Sequence, residues 1–390
     1  MRVLVIAKDF PTPELPYAGV FVLRQAQALA RLGHSLLVVR VVPHAPPLGE
    51  KWRHYRAMPS VDEVEGIPVR TIRAFFLPRM LASEYLPQQV GAAVARIANE
   101  FRADIVHSHY LIPCGQIAVR QSLPSVVTAH GADAYDWAWR RPGLRRAATE
   151  AVLRADCVVA VSHFIRERIV AVAGNRHIDV VYNGADDDVF FPADRLAARR
   201  ELGIDASRFV VAFAGRPSHE KGAFDLLEAA ARLREIQPLL LVAGPGPDRE
   251  FGDAIARLGV DARVLGLVSH AKLARVLAAS DAFCLPSYEE GLPAAICEAM
   301  LSGRPVVATP VGGVPEIIKD AETGFLVPIG NPRILAHRLH EIALAPELGR
   351  RLGNAAHAFA RPRLTWETNA RHHETLYLKA RATSASAMLG

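Results

Sequence analysis

The residues best suited to chemistry are two glutamates, Glu290 and Glu298, with seven residues between them in the apolar run SYEEGLPAAICEAMLSGRPVVATPVGGVPEII. Carboxylates are rarely buried unless they are paired or bind a polar group. The pattern predicts that Glu290 lies where a loop enters a helix and that Glu298 lies two turns into that helix, about 12 Å along its axis. This spacing suits two carboxylates that hold hydroxyl groups at opposite ends of one bent ligand.

Two cations follow an apolar run near residue 210. Arg216 and Lys221 are separated by four residues in AGRPSHEKG, directly after Gly215, and a helix is predicted to follow them. A helix N-terminus beside two cations suits a diphosphate. Two solvated charges at the end of a strand would give the same pattern, so that alternative stays open.

Turns after the neighbouring apolar runs could offer backbone groups to the same ligand. The pair of glycines in AGPGP lacks the third glycine of a dinucleotide fingerprint, and it is equally compatible with an ordinary tight turn. In EGLP we expect the proline to occupy the first position of the helix. These candidates are Gly244, Gly246, Val268, Gly291, Leu292 and Pro293.

In the first half of the chain, Gly19 precedes a predicted helix and His130 follows an apolar run in VVTAHGADAYD. A histidine at a strand end is often a packing residue, and we interpret His107 and His109 in that way. The acidic run 186–188 is interpreted as turn and capping chemistry rather than a metal site.

Apolar runs alternate with helical patterns along the whole chain, which predicts two open parallel sheets with helices on both faces. The polar stretch 186–208 separates them, and ligands of such sheets bind beyond the carboxyl ends of the strands. A final helix at 364–380 is expected to pack across the first sheet, and the tail after it to be frayed. The predicted strands are 3–7, 35–42, 68–75, 104–109, 125–130, 156–162, 179–184, 209–215, 238–244, 262–268, 282–286, 305–309 and 324–328.

Composition excludes several classes of protein. A length of 390 residues with 51% hydrophobic and 22% charged residues indicates a globular protein of two domains. The net charge of +6 is too small to argue for a nucleic-acid partner, and no apolar run reaches membrane-span length. We expect a cytoplasmic protein whose four cysteines are reduced core residues. These are Cys114, Cys157, Cys284 and Cys297.

The motifs GRPSHEKG, AGPGP, EGLPAAICEAMLSGRPVVATPVGGVPEII, TGFLV and YNGADDDVF resemble the retaining nucleotide-sugar glycosyltransferases of family 4. The opening DFPTPELPYAGVFVLRQAQALARLGH resembles the subgroup that includes teichuronic-acid and surface-polysaccharide transferases. The resemblance covers nearly the whole chain and implies the GT-B fold, in which two Rossmann-like α/β domains face each other across a cleft. It implies an acceptor-binding domain at 1–184, joined by the C-terminal helix (about 364–390), and a nucleotide-sugar-binding domain at 185–363.

The resemblance also implies roles for the candidates. Glu298 would bind the ribose hydroxyls and Glu290 a hydroxyl of the donor sugar. Arg216 and Lys221 would neutralise the diphosphate, while His130 would orient the donor sugar. The remaining donor-binding positions are Gly19, Gly215, Gly244, Gly246, Val268, Gly291, Leu292 and Pro293.

The implied reaction moves a hexose-type sugar from a UDP-, GDP- or ADP-sugar to a glycan or lipid-linked acceptor, with no metal cofactor. Aromatic and basic segments at 51–56, 75–81 and 137–146 suggest, as a hypothesis, peripheral contact with an anionic membrane, at the inner face of the plasma membrane. Two alternatives are a sugar-nucleotide epimerase of the same fold and a nucleotide-sugar-binding protein without transfer activity.

Overall fold

The computed structural model describes residues 1–44, 55–75, 85–131, 141–246 and 249–389. The chain divides into two compact units, one made of Met1–Tyr182 with Trp366–Gly390 and the other of Asn183–Thr365. Sequence analysis expected these divisions after residues 184 and 363. The functional roles given to the two domains remain predictions.

The first unit is built on an eight-stranded sheet with the order β3-β4-β2-β1-β5-β6-β7-β8. Its strands are β1 (Arg2–Ala7), β2 (Ser35–Pro43), β3 (Val61–Val64), β4 (Ile67–Ala74), β5 (Ile105–His109), β6 (Ser125–Ala129), β7 (Cys157–Ala160) and β8 (Asp179–Val180). Its α-helices before residue 182 include α1 (Val20–Arg31), α2 (Leu86–Phe101), α3 (Gln116–Ala118), α4 (Pro142–Arg154) and α5 (His163–Ala173), and a π-helical segment, Leu111–Gly115, directly precedes α3.

The sheet of the first unit is parallel except at one edge. Strands β5, β6 and β7 are buried along their whole length; β6 and β7 are mostly apolar, whereas β5 also buries His107, Ser108 and His109. Strand β3 pairs antiparallel with β4 and was missed by sequence analysis. Its four residues, VDEV, alternate between exposed and half-buried positions, so they lack the apolar run that identified the other strands.

The second unit holds a six-stranded parallel sheet with the order β11-β10-β9-β12-β13-β14. Its strands are β9 (Val210–Ala214), β10 (Leu239–Ala243), β11 (Ala262–Gly266), β12 (Ala282–Leu285), β13 (Val306–Ala308) and β14 (Gly324–Leu326). Its helices are α6 (Arg195–Glu201), α7 (Ala223–Arg232), α8 (Arg249–Leu258), α9 (His270–Ala279), α10 (Ala294–Leu301), α11 (Val314–Ile317), α12 (Pro332–Leu344) and α13 (Pro346–Ala360). The strand order reverses between β9 and β12, and such a switch point opens a crevice for ligands at the carboxyl ends of the strands.

The final helix, α14 (Trp366–Leu389), packs on the first unit, as predicted. Its buried residues Trp366, Ala370 and Tyr377 join the hydrophobic cluster that contains α1 and β1. A buried hydrogen bond of 2.7 Å from Gln25 Nε2 to Asn369 Oδ1 fixes α14 to α1. The expectation of a frayed tail after residue 380 was wrong, because α14 continues to Leu389.

The membrane hypothesis rests on segments that lie largely outside the described residues. Residues 51–54, 76–81 and 137–140 belong to that excluded part of the chain. Within the described residues, no helix has the length and apolar character that a bilayer span requires.

Candidate functional site

Strands β9 and β10, on one side of the switch point, are followed by glycines that bring their loops close together. The backbone N–H of Gly215, just after β9, donates to the carbonyl of Ala243 (2.8 Å), and Gly244 N–H donates to Gly266 O (2.9 Å). A side chain at Gly244 would place its Cβ 1.9 Å from the carbonyl oxygen of Gly215. The two predicted glycine loops therefore pack backbone against backbone at the carboxyl end of the sheet.

Lys221 and Glu290 form the best-defined pair of the site. Lys221 Nζ lies 2.8 Å from Glu290 Oε1, and Ser287 Oγ donates to the same oxygen at 2.8 Å. Glu290 is only 8% exposed, so its charge needs these partners. The structure thus joins a cation from the loop after β9 to a carboxylate from the loop after β12, which are 69 positions apart in the chain.

A glycine loop after β13 supports Glu290 from the other side. Gly312 has a positive φ of 55°, and a Cβ there would lie 1.7 Å from the carbonyl oxygen of Glu290. The N–H of Gly313 donates to the carbonyl of Gly291 at 2.8 Å. Only a residue without a side chain allows this approach, so the two loops position each other through their backbones.

Arg216 differs from Lys221 in its surroundings. It is exposed at the end of β9. Within the described ranges its guanidinium makes neither a hydrogen bond nor an ion pair, whereas Lys221 is paired. The structure therefore leaves Arg216 available to an anionic ligand at this edge of the sheet.

Glu298 lies in helix α10 and is 8% exposed. Its carboxylate oxygen is 3.9 Å from Nε2 of His270, the first residue of α9. The His270 ring is 5.8 Å from that of the buried Phe190, in an edge-to-face arrangement. Sequence analysis did not single out His270, although it follows the candidate Val268 by two residues.

The geometry around α10 corrects two expectations. The helix begins at Ala294, so Pro293 is the residue before its first turn rather than the first helical residue, and Glu298 lies one turn into the helix instead of two. Glu290 precedes the helix by four positions, so a helical rise does not measure its distance from Glu298.

The carbonyl of Leu292 accepts a hydrogen bond from Asn183 Nδ2 at 3.4 Å.

Gly246 and Val268 are two further candidates of the second unit. Gly246 lies at the end of the described range 141–246, and a Cβ there would meet no atom within 4 Å. Val268 is half-buried between β11 and α9. Both lie at the carboxyl end of the sheet, where the sequence predicted them.

In the first unit, His130 belongs to a stack of histidines. Its Nε2 lies 2.9 Å from Nδ1 of His109. The stack continues with His107, whose ring centre is 4.6 Å from that of His109, and with His373, whose ring centre is 5.1 Å from that of His107. Burial and the neighbouring histidines lower the pKa of His130 to about 3. His130 is therefore neutral near pH 7 and can act there as a hydrogen-bonding group rather than a cation.

His107 and His109 are buried, in agreement with their interpretation as packing residues. His107 contacts Tyr377 OH at 2.7 Å and Thr128 Oγ1 at 2.8 Å. His109 has a second feature that sequence analysis missed, which is its contact with His130.

Gly19 caps α1 at a positive φ of 65°, and a Cβ there would lie 2.1 Å from the carbonyl oxygen of Asp9. The loop before α1 therefore packs against the end of β1. Lys8 lies nearby, with its ammonium 4.2 Å from the centre of the Tyr110 ring.

The acidic run after β8 forms a turn, in which the N–H groups of Val189 and Phe190 donate to the carbonyl of Asp186. No group of three or more His, Cys, Asp or Glu residues in the described ranges is arranged to hold a metal ion. All four cysteines are buried and none forms a disulfide, as predicted.

Comparison with known proteins identifies the family. Residues 18–189 match the model described as Glycosyltransferase Family 4, and residues 194–359 match Glycosyl transferases group 1. The N-acetyl-alpha-D-glucosaminyl L-malate synthase of Bacillus anthracis is 30% identical, over 94% of this chain and 94% of that protein. The chain is a family 4 glycosyltransferase. This glycosyltransferase is also 30% identical to the teichuronic acid biosynthesis glycosyltransferase TuaC of Bacillus subtilis, over 80% of this chain and 82% of that one.

Solved structures show that the glycosyltransferase has the GT-B fold. The sucrose-phosphate synthase from Thermosynechococcus elongatus superimposes with a TM-score of 0.81 at 23% identity, over 98% of this chain and 100% of that one. The Anabaena protein HepE, solved in complex with UDP-glucose, gives a TM-score of 0.74 at 23% identity, over 96% and 99% of the two chains.

Four residues that the sequence did not assign to a site contact predicted site residues. Ser287 and Gly312 contact Glu290, His270 contacts Glu298, and His109 contacts His130. The glycine pair in VGGVPE was the one available signal, because paired glycines after a strand mark a close backbone approach.

Proposed function

We propose that this glycosyltransferase transfers a hexose-type sugar from a nucleoside diphosphate sugar to a glycan or lipid-linked acceptor, with retention of configuration, in cell-surface polysaccharide biosynthesis. The donor class is supported by the Lys221–Glu290 pair near the switch point of the second sheet, and by Arg216, which has no ion-pair partner within the described residues. A pair of cations with a buried carboxylate suits a ligand that joins a diphosphate to a polyhydroxyl group. The complex of the neighbour HepE with UDP-glucose supports the same class.

In this proposal each end of the donor has its own carboxylate. Glu298 accepts hydrogen bonds from the ribose hydroxyls, and Glu290 accepts one from the sugar. The loops at Gly215, Gly244 and Gly291 bring backbone groups close to the diphosphate. Gly246, Val268, Leu292 and Pro293 complete the donor-binding surface of the second unit.

The positive charges of Arg216 and Lys221 account for the cleavage of the bond between the sugar and the diphosphate. The bond between the anomeric carbon and the leaving phosphate oxygen breaks, and a bond from the acceptor hydroxyl oxygen forms on the same face of the sugar. The acceptor proton passes to the departing phosphate. Arg216 and Lys221 stabilise the negative charge that grows on the diphosphate, usually the largest single contribution in such sites. We propose that these cations fulfil the role that a metal ion has in other transferases.

His130 and Gly19 contribute from the first unit in this proposal. Because burial keeps His130 neutral near pH 7, it orients a sugar hydroxyl without adding a positive charge next to an oxocarbenium-like transition state. Gly19 allows the loop before α1 to approach the phosphates.

The acceptor class rests on the relatives. The name of one refers to teichuronic acid, a surface polymer, and the name of another to L-malate, a small anion. We propose a surface-glycan acceptor because the opening motif resembles the first group. Action in the cytoplasm, at the inner face of the plasma membrane, stays a prediction, as does peripheral membrane contact.

A panel of UDP-, GDP- and ADP-sugars tests the proposed donor class. We expect one donor to bind best and to undergo slow hydrolysis to its nucleoside diphosphate without acceptor, because the site is built for one nucleotide and one sugar. Mass spectrometry and calorimetry would measure the two effects. Equal binding of every donor would contradict the proposal. Binding without release of nucleoside diphosphate would favour a binding protein, and conversion of the sugar nucleotide to its epimer would favour an epimerase.

A further inference from the structure

The second unit contains a cavity of about 560 Å³ at the amino ends of its strands. Phe209, Asp281 and Pro305, which directly precede β9, β12 and β13, lie in its wall. The candidate donor site lies beyond the carboxyl ends of the same strands. The cavity is therefore a separate feature at the opposite end of the sheet.

Arginines dominate the lining of this cavity. They come from α6, from the loop before β9, from the turn after α10 and from the first turn of α13. The five are Arg195, Arg199, Arg208, Arg304 and Arg350. Asn354 also lines the cavity; it is exposed, and its side chain makes no hydrogen bond within the described residues.

The carboxylates near the cavity do not balance these five charges. Asp281 is shared between Arg195 and Arg199, the second at 2.6 Å. Arg208 pairs with Asp261 at 2.8 Å, and Arg350 pairs with Glu347. Arg304 has no carboxylate within ion-pair distance in the described part of the chain. Five guanidinium groups thus meet three carboxylates in ion pairs, and Asp205 adds only a coulombic interaction with Arg208 and Arg199.

Two of the arginines also stabilise the fold. Arg199 Nε donates to Ala279 O at 2.9 Å, and Arg304 Nη1 donates to Ser280 O at 3.0 Å, both at the C-terminal end of α9. Cations at this end of a helix offset its partial negative charge. These contacts explain why Arg199 is buried and Arg304 half-buried. They do not explain the exposed Arg195 and Arg350 around an open volume. Burial lowers the pKa of Arg304; the charge of Asp281 opposes this shift, and those of Arg195 and Arg199 add to it.

We propose that this cavity binds a phosphate-bearing anion. Guanidinium groups match the geometry of phosphate oxygens and are less strongly hydrated than ammonium groups, so arginine is the residue favoured for such sites. The volume falls within the range of small-molecule pockets, roughly 300–1,000 Å³. The phosphate belongs either to a soluble phosphorylated molecule or to the headgroup of an anionic lipid. This site does not depend on the proposed donor chemistry.

Calorimetric titration of the full chain with inorganic pyrophosphate tests the proposal. The double variant Arg195→Gln/Arg350→Gln removes two exposed guanidinium groups and keeps the buried Arg199–Asp281 pair. We expect it to weaken one class of pyrophosphate sites by about tenfold or more, because charge-assisted hydrogen bonds are lost. The control Arg96→Gln/Arg371→Gln makes the same change in net charge on exposed helix faces of the first unit and should leave that class unchanged.

A single variant tests whether the double variant loses pyrophosphate binding only because it misfolds. Asn354→Asp adds a carboxylate to the cavity rim without removing a hydrogen bond, and it should weaken the same class of sites while the thermal midpoint stays near that of the wild type. Arg216→Gln distinguishes the donor site from the cavity, because it should weaken a different class of pyrophosphate sites from the one that the cavity variants weaken. Equal pyrophosphate binding by the cavity variants and the control would overturn the proposal, even where donor binding is intact.

Vesicles distinguish the two sources of phosphate. Co-sedimentation would compare phosphatidylcholine vesicles with vesicles that also contain phosphatidic acid. Binding to the second kind that is lost in Arg195→Gln/Arg350→Gln supports a lipid headgroup. Pyrophosphate binding without such co-sedimentation supports a soluble ligand. If Arg195→Gln/Arg350→Gln loses neither pyrophosphate binding nor vesicle binding, the cavity binds neither a soluble phosphate nor a lipid headgroup.

Discussion

At the scale of single residues, the Lys221–Glu290 pair organises the candidate donor site. A carboxylate that is 8% exposed needs a partner, and Lys221 with Ser287 supplies one. The pair also fixes the long side chain of Lys221, which would otherwise lose conformational entropy when it binds a diphosphate. The cation is therefore held in place before the ligand arrives, which is the arrangement that electrostatic catalysis needs.

The histidine stack of the first unit is the second feature at this scale. His373 is 1% exposed, and its Nε2 has no hydrogen-bond partner among the described residues. Burial lowers the pKa of His373 to about 4. The stack thus consists of neutral rings that pack like aromatic side chains and tolerate a proton poorly.

The stack predicts that acid destabilises the protein. An unfolded histidine binds a proton near pH 6.5, whereas folded His373 binds one only near pH 4. Stability is therefore complete above pH 6.5 and falls as the pH drops towards 4, by about 2 kcal/mol for this residue at pH 5. Thermal unfolding at pH 7 and pH 5 would measure it. We expect His373→Gln to show a smaller loss between the two pH values than the wild type.

The matched control for this prediction is His337→Gln, which changes a histidine whose side chain is 65% exposed in the second unit. That variant should keep the full acid sensitivity of the wild type. An equal loss in all three proteins would mean that the buried histidine does not control the acid response.

At the scale of elements, the candidate donor site is made of loops that touch through their backbones. The loop after β13 reaches the loop after β12 at Gly312 and Gly313, and the loop after β10 reaches that after β9 at Gly244. Positions with such close approaches tolerate no side chain, so the glycines fix the positions of the charged residues beside them.

Gly312→Ala should therefore impair transfer through Glu290. Its Cβ would lie 1.7 Å from the carbonyl oxygen of Glu290, so the loop must move in addition to bearing the strain of a positive φ. We expect turnover to fall by about 10²-fold, since a small displacement of a site residue has effects of that size. A transfer assay with the preferred donor would measure it.

Gly259→Ala is the control for the strain itself. Gly259 has a φ of 63°, but a Cβ there meets no atom within 4 Å. This variant should lose some stability and keep its turnover. Similar turnover in the two variants would contradict the role given to the loop at Gly312.

The elements also show what the sequence can and cannot predict. Buried parallel strands such as β9 and β10 were recognised because both of their faces are apolar. The edge strand β3 was not, because its polar residues carry no such pattern. Glu290 and Lys221 were each identified from local motifs, but their pairing across 69 positions depends on strand order. The contacts of His270 and His109 depend on tertiary packing and had no local signal.

At the scale of the whole molecule, the chain combines two α/β units with different polar features. The second carries a candidate diphosphate site at the carboxyl ends of its strands and an arginine-lined cavity at their amino ends. The first carries a neutral histidine stack and the glycine-capped helix α1. The proposed donor contacts therefore come mainly from the second unit, with His130 and Gly19 from the first.

We propose that Glu298 binds the nucleotide and that Glu290 binds the transferred sugar. The most direct measurement compares the Kd of the nucleoside diphosphate and the turnover with the preferred donor in Glu298→Gln and Glu290→Gln. We predict that Glu298→Gln weakens the nucleoside diphosphate by about tenfold or more, because its hydrogen bonds involve a charged group. Glu290→Gln should leave that Kd within about twofold and lower turnover by about 10²-fold or more. If both variants change the Kd and the turnover alike, or if neither variant changes them, the roles given to Glu290 and Glu298 are wrong.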